Sequence, residues 1–388
     1  MELVFNLTYH GLIVGVKMNK NLFRLIIIED DANALERITS EVKKKYKGDV
    51  KIIPYSVFTK AIDYISQENQ FDAVILDLFE GGEIRGKDIY ELIWKNGLVP
   101  IIIHTAREWE ELDPSTLDHP FIQCISKGQG SDLKIVETIE NFRPFILALH
   151  NVHEEISKTE QMVIKETAIQ IKKSVASSIA INDILVRVIR RRLAAQFDCS
   201  LLHTSEPLKA WEQYIYPPLN HDLLLGDILK ISDADPKSPD SYRIILTASC
   251  DMQVFSGKRK ADKVLVSRYI PFDEFIQVVK SRYKFTDEKL KENLPQLLHE
   301  TQISGIIPLP NFDGILPPMA SNLKRLELLN FEEISQTKEE KKVYERIISI
   351  DSPFRENISW AFMSIYGRPG LPERDVDAWA KEILPNGK

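Results

Sequence analysis

Hydrophobic residues in the first third of the chain fall into short continuous runs, and the segments between them carry apolar residues at helical spacing. The runs are LFRLIII (22–28), KIIPY (51–55), AVILDL (73–78), VPIIIHT (99–105) and FIQCIS (121–126). Between them lie ALERITSEVKKKY (34–46), with Leu35, Ile38 and Val42 on one face, then VFTKAIDYI (57–65) and KDIYELIWKN (87–96), which Gly97 ends. DLKIVETIENFRPFILAL (132–149) follows the last run. Short apolar runs set between helices predict a parallel sheet covered on both faces. Residues 21–150 are therefore expected to form a doubly wound (βα)5 α/β domain. Its fourth helix falls in Arg107–Pro120 and should be short or irregular, because that segment holds Pro114 and has little apolar periodicity.

From 151 to 200 the pattern becomes purely helical, through Ile156, Val163, Ile171, Val175, Ile184 and Val188, and closes on Arg187, Arg190, Arg191 and Arg192. One or two long helices are expected, continuous with the helix before or separate from it. They read as a linker packed on the next domain or as a dimer-forming signalling helix, and no heptad is sustained. The arginines read as a solvated face.

Residues 201–388 change character again. GDILKI (226–231), YRIILTASC (242–250) and KVLVSRYI (263–270) read as strands separated by polar loops, which predicts an α+β domain with a small antiparallel sheet or barrel. PFDEFIQVVKSRY (271–283) and EKLKENLPQLL (288–298) read as helices, and 305–320 as an irregular Pro-rich stretch. SPFRENISWAFMSIYG (352–367) opens with Ser352 as N-cap and Pro353 at the first helical position. GRPG (367–370) reads as a turn. Residues 1–20 are an extension or an added strand, with Met18 just ahead of the first strong run.

Composition narrows the function classes. Forty-four per cent hydrophobic and 28% charged residues over 388 positions fit a globular protein of two or three domains. Three cysteines, Cys124, Cys199 and Cys250, exclude a disulfide scaffold and fit a reducing cytoplasm. No apolar run reaches the roughly 18 residues of a membrane span, and the N-terminus lacks the basic segment and cleavage site of a signal peptide. The net charge of −7 argues against nucleic acid as a partner. Acid is concentrated early: residues 21–150 hold 15 basic and 22 acidic side chains, residues 151–200 hold 8 and 6.

That acid falls where an open parallel sheet binds ligands, at the carboxyl ends of its strands. Glu29, Asp30 and Asp31 follow the first strand, and Asp77 is near the end of the third. Thr105 follows the fourth and Lys127 the fifth. Glu29, Asp30 and Asp77 are hard oxygen ligands suited to Mg²⁺. Asp77 can then attack phosphorus and form an acyl phosphate. Thr105 can hydrogen-bond a phosphoryl oxygen and Lys127 can pair with another. Such a transfer asks mainly for positioning and charge neutralisation.

The order IIIEDD, VILDLF, IIIHTA and CISK resembles the receiver domain of two-component response regulators. The resemblance implies that Glu29 and Asp30 bind Mg²⁺ and that Asp77 is the phosphoacceptor. Thr105 would be the switch hydroxyl and Lys127 the phosphate-contacting lysine. It also implies that the backbone carbonyl of Phe79 completes the metal site, and that Gly86 is the glycine after the acceptor loop. The partner implied is a histidine kinase or phosphotransfer protein, and the modification is expected to act through the 131–200 helices, either on a homodimer formed by them or on residues 201–388 as a C-terminal output domain. Three positions depart from the family: Cys124 stands where an aromatic residue is usual, Gly128 replaces the proline after the lysine, and FEGGEIRG (79–86) lacks the usual Met-Pro or Leu-Pro. The alternative is a degenerate receiver kept as a dimerisation scaffold.

The output region carries weaker signals. LTASCDMQ (246–253) ends one strand and opens another, and Arg259 follows. Cys250 as nucleophile, or Asp251 and Arg259 as an acid–base pair, would make this region an effector enzyme, with RNA or nucleotides as the substrate class considered. The Ser-Cys-Asp strand end, with SPFRENISWAF (352–362) and GRPGLP (367–372), resembles uncharacterised regions fused to receivers in gene clusters of a phage-defence type. The plainer reading makes Cys250 a buried small residue, Asp251 a turn cap and the basic residues a solvated loop. No histidine adjoins Cys250 in sequence; His203 and His221 could reach it only through the fold. Residues 226–251 resemble, over that span alone, the barrel of small toxin ribonucleases. Cys199, His203 and Cys250 make an incomplete zinc set, since structural sites use four protein ligands.

Overall fold

Leu25 to Ile28, Ala73 to Leu76 and Ile101 to Ile103 are all buried, with no alternation between the two faces of the strands. Successive side chains point to opposite faces, so runs of this kind need a covering layer on each side. The computed structural model describes residues 6–9, 12–15, 23–67, 71–96, 99–106, 119–174, 181–201, 207–219, 222–299, 302–337, 340–367, 370 and 372–384. The chain divides into two units, Met1–Gln196 and Phe197–Lys388.

The first unit opens with an antiparallel pair, β1 (Asn6–Tyr9) and β2 (Leu12–Gly15). The elements that follow are β3 (Phe23–Ile28), α1 (Ala32–Tyr46), β4 (Val50–Tyr55), α2 (Phe58–Gln67) and β5 (Ala73–Leu76). After the small hairpin of β6 (Phe79–Glu80) and β7 (Glu83–Ile84) come α3 (Gly86–Asn96), β8 (Ile101–Thr105) and β9 (Ile122–Ser126). The sheet order is β4-β3-β5-β8-β9, every pair parallel. This is the flavodoxin-like order, shared by receiver domains. Pro54 is tolerated because β4 is an edge strand. The segment expected to hold the fourth helix, and Gly97, lie outside the described residues.

Two cores sandwich the sheet. Phe58, Ala61 and Ile65 of α2 and Ile89, Tyr90 and Ile93 of α3 pack on Ile26, Ile28, Val74, Leu76, Ile101 and Ile103. On the other face Ile38 and Val42 of α1 join α4 (Ser131–Ser174) over Leu25, Ile27, Ile75 and Ile102. The helices expected after 131 are indeed continuous at first. α4 runs 44 residues, with Pro144 inside it, and is followed by α5 (Ile181–Leu201). Arg192 ties the two together, donating to Thr167 Oγ1 at 3.0 Å and pairing with Glu166 at 2.8 Å. At least that member of the arginine cluster is therefore not simply solvated.

The second unit is an antiparallel half-barrel. Its strands are β10 (Tyr214–Ile215), β11 (Asp227–Ile231), β12 (Tyr242–Ile245), β13 (Val264–Pro271), β14 (Ile306–Leu309), β15 (Met319–Leu329) and β16 (Tyr344–Ile350), in the order β10-β16-β11-β12-β13-β15-β14. Several expectations need correction. The strand expected over 242–250 stops at Ile245, and Ser249–Met252 form a turn of helix (α6), so LTASCDMQ opens no second strand. The stretch 305–320, expected to be irregular, contains β14; Pro308 hid it, and is accommodated because β14 is an edge strand. β15 and β16 were not expected. Five consecutive buried residues of β15, MASNL, mix apolar and polar side chains, and Ser321 bonds Ser267 across the sheet, so no hydropathy alternation marks them. The helices Phe272–Tyr283 (α7) and Asp287–Leu297 (α8) match their patterns. The helix Phe354–Tyr366 (α9) starts after Pro353 without a side-chain cap, so neither Ser352 nor Pro353 plays the expected part. A last helix, α10, spans Val376–Ile383.

Candidate functional site

Parallel register brings the acids together. Ile28 pairs with Leu76, and the Asp77 N–H donates to the Ile28 carbonyl at 2.9 Å, so Glu29 and Asp77 leave adjacent strands side by side. One strand further, β8 ends in Thr105, whose carbonyl accepts from the Lys127 N–H at 2.8 Å as β9 ends. Lys127 Nζ reaches back across the strand ends and donates to Glu29 Oε1 at 2.7 Å and to Asp77 Oδ2 at 2.5 Å.

Both carboxylates are buried, Glu29 at 1% and Asp77 at 4% exposure. Burial opposes the ionisation of Glu29, but the facing imidazole of His104 and the ammonium of Lys127 outweigh it and hold its carboxyl below the usual range. Asp77 goes the other way: burial raises it, Lys127 offsets this only in part, and the Glu29 charge adds to the rise. Burial alone would lower Lys127, yet its bonds to Asp77 and Glu29 hold the ammonium above its ordinary value. One cation thus serves two carboxylates, and the second negative charge is incompletely balanced.

Asp30 is exposed beside this pair, and its Oδ2 accepts from the Gly81 N–H at 2.7 Å. Oxygen atoms of Glu29, Asp30 and Asp77 lie within 4.8 Å of one another. Three carboxylates at that spacing fit a hard divalent cation that keeps part of its water shell. The Phe79 N–H donates to Asp77 Oδ1 at 3.3 Å. Asp31 belongs to a different task. It caps α1, accepting from Asn33 N at 2.8 Å and Ala34 N at 3.4 Å. Thr105 Oγ1 is fully buried and has no hydrogen-bond partner among the described residues.

The atypical loop after Asp77 has its own logic. Glu80 pairs with Glu83 across a two-residue turn, Gly81-Gly82, with φ of +59° and +92°. Left-handed backbone at both central positions is what a tight hairpin turn of this kind needs. Glu80 then accepts from the Phe58 N–H at 2.9 Å, satisfying a free donor at the start of α2. The hairpin returns the chain to Gly86. Cys124 is half-buried against the α2 and α3 core, and burial pushes its thiol up to about 11. It acts there as packing rather than as a nucleophile.

The output candidates do not form a comparable site. Cys250 is exposed, contrary to the plainer expectation, with Sγ 3.6 Å from Asp251 Oδ1. Arg259 does not face Asp251: its Nε donates to the Met252 carbonyl at 3.0 Å and its guanidinium lies 4.4 Å over the Phe331 ring. Lys260 stands near Asp251 instead, at 3.7 Å. His203, His221 and the Cys199 side chain lie outside the described residues. Sequence reasoning missed His104 and Ser131, which stand behind Glu29. The only signal was a histidine ending an isoleucine run.

No protein-family model matches this chain, and no curated protein matches it. Solved structures similar to it include the signal receiver domain of a putative Luxo repressor protein from Vibrio parahaemolyticus, at 19% identity and a TM-score of 0.29, covering 33% of this chain and 95% of that one. A CheY-like response regulator receiver domain protein from Methanospirillum hungatei is similar at 14% identity and a TM-score of 0.27, covering 33% and 98%. The response regulator protein TrrA from Thermotoga maritima, in complex with Mg(2+)-BeF, is similar at 22% identity and a TM-score of 0.26, covering 31% and 97%. The fold assignment rests on the strand order and register given above. Among the described residues no helix is long and apolar enough to cross a membrane.

Proposed function

We propose that the first unit is a phosphoryl-accepting receiver and that Asp77 is its acceptor. The observation that carries this reading is the bridge of Lys127 to both Glu29 and Asp77, with Asp30 alongside, at the carboxyl edge of a flavodoxin-like sheet. An Asp77 oxygen would form a bond to phosphorus as the donor's bond to phosphorus breaks. The donor, a phosphohistidine of a histidine kinase or phosphotransfer protein or a small acyl phosphate, keeps the electron pair. Lys127 would then pair with a phosphoryl oxygen, and the buried Thr105 hydroxyl, unpartnered among the described residues, would donate to another. Glu29, Asp30 and Asp77, with the Phe79 carbonyl, would hold Mg²⁺, which supplies charge neutralisation for the incoming phosphoryl group.

The test is intact mass after incubation with acetyl phosphate and Mg²⁺. A phosphoryl adduct on the wild type and none on Asp77→Ala supports the reading. An adduct that survives Asp77→Ala overturns it. No adduct on either protein, with its kinase absent or present, favours the degenerate scaffold.

The homodimer expected through the 131–200 helices draws support from exposed Phe145, Val152, Ile156 and Ile169 on α4. Sizing chromatography of the same samples tests it. The effector-enzyme reading of residues 201–388 has less support, since Arg259 is committed to Met252 and Phe331. Under the receiver reading this region is the output domain, and residues 151–200 are its linker.

A further inference from the structure

Strand alternation puts Ile102 and His104 of β8 on the face covered by α1 and α4. That face is otherwise apolar, yet position 104 holds an imidazole only 2% exposed. A buried polar side chain needs partners, and the two ring nitrogens meet different ones. Nε2 is 3.0 Å from the hydroxyl of Ser131, the first residue of α4. Nδ1 is 3.7 Å from Glu29 Oε2, facing it a few tenths of an ångström beyond hydrogen-bond length, a gap that a small rotation of either side chain closes. His104 Nδ1 and Glu29 Oε2 are both buried, and neither has a hydrogen bond to any other group among the described residues. One is an acceptor lacking a donor, and the other can be that donor.

Ser131 can serve the tautomer that the unmet Oε2 of Glu29 needs. Its Oγ accepts from the Gly128 N–H at 3.5 Å, which leaves its own proton to give. Given to Nε2, that proton makes Nε2 the acceptor and leaves the ring proton on Nδ1, facing Glu29. On the other side of Glu29, Oε1 accepts from Lys127 at 2.7 Å and from the Asp31 N–H at 3.3 Å.

We propose that His104 is the positioning residue of Glu29: backed by Ser131, its Nδ1–H holds Oε2 and so fixes Oε1 toward Asp77, Lys127 and the divalent cation. The assignment rests on the reading of Glu29 as a metal-binding carboxylate. Outer partners of this kind orient ligands, and their loss costs metal affinity.

The experiment is a calorimetric Mg²⁺ titration of the full chain with no phosphodonor, paired with thermal unfolding in the absence of metal. His104→Leu should bind Mg²⁺ ~10-fold or more weakly while still unfolding in one cooperative transition well above the titration temperature, so that the loss is read on folded protein. His104→Asn, whose amide nitrogen takes the place of Nδ1, should restore affinity; His104→Gln, which reaches the place of Nε2, should not. Wild-type Mg²⁺ affinity in His104→Leu overturns the assignment alone. A wild type that takes up no Mg²⁺ overturns the metal reading as well. A second readout is independent of metal: the ¹⁵N spectrum of the His104 ring should show protonated Nδ1, and an Nε2–H ring overturns the assignment.

Discussion

Gly86 and Asp77 touch through their backbones. A Cβ on Gly86 would lie 2.4 Å from the Asp77 carbonyl oxygen and 2.5 Å from Leu78 Cα. The N–H groups of Arg85 and Gly86 both donate to the Leu78 carbonyl, at 3.2 and 3.0 Å. The start of α3 is thereby locked onto the segment that carries the proposed acceptor.

Gly86→Ala should therefore be costly for a reason unrelated to helix propensity. The methyl group meets backbone that cannot rotate away, and overpacking of this sort costs roughly 1–3 kcal/mol. Thermal unfolding should fall accordingly, and phosphorylation of Asp77 from acetyl phosphate should slow. An alanine variant with wild-type unfolding and labelling would mean that the segment shifts freely.

Lys127→Ala removes the side-chain cation that bonds the two buried carboxylates of Glu29 and Asp77. Breaking a buried pair costs about 3–5 kcal/mol, and the 21% exposure of the Lys127 side chain places the loss at the lower end. Its pH dependence has a definite sign. Lys127 helps hold Glu29 below its ordinary value, so that stabilisation is present above the unfolded carboxyl range and is lost as pH falls through the lowered one. The gap between wild type and variant should be widest near neutral pH and narrow in acid, as read by urea unfolding at several pH values. Labelling of Asp77 should persist, with the downstream response uncoupled.

Cys124 should react slowly. Its thiol is half-buried and pushed up to about 11, so little thiolate exists at pH 8. With Cys199 replaced by serine, a disulfide reagent at pH 8 should modify exposed Cys250 first and Cys124 only on unfolding. Equal rates at the two thiols would show that β9 opens readily.

In the second unit, Arg243 of β12 sits opposite Arg268 of β13, and Glu327 of β15 pairs with both, at 2.5 and 2.7 Å. Arg243 is 3% exposed. Glu327→Ala leaves two facing cations without their common partner, one of them buried, and should cost roughly 3 kcal/mol. Glu327→Gln should recover part of this through hydrogen bonding alone. Urea unfolding of both variants decides it, and an unchanged midpoint in the alanine variant would remove the network from the stability of the sheet.

The sheet of the first unit was legible because its strands are buried on both faces. Runs such as AVIL and IIIHT cannot occur in a half-exposed strand, and their order with the helices leaves little freedom of topology. The placing of Glu29, Asp30, Asp77, Thr105 and Lys127 along one edge of the sheet was legible for the same reason: the carboxyl end of each parallel strand is marked in the sequence. The second unit was harder to read. β14 carries Pro308, and β15 buries Ser321 and Asn322 beside apolar residues, because sheet partners satisfy polar groups that hydropathy counts as exposed.

What the chain determined by itself is which residues end the strands. Only the tertiary structure decided which atoms meet. A lysine 50 positions from one carboxylate and 98 from the other bridges both. Asp31, in sequence one of three acids, turns away to cap a helix. His104, written into an isoleucine run, comes to stand behind Glu29. Local pattern sets the period and the burial of an element. Contacts between elements depend on register and twist, which the local pattern does not carry.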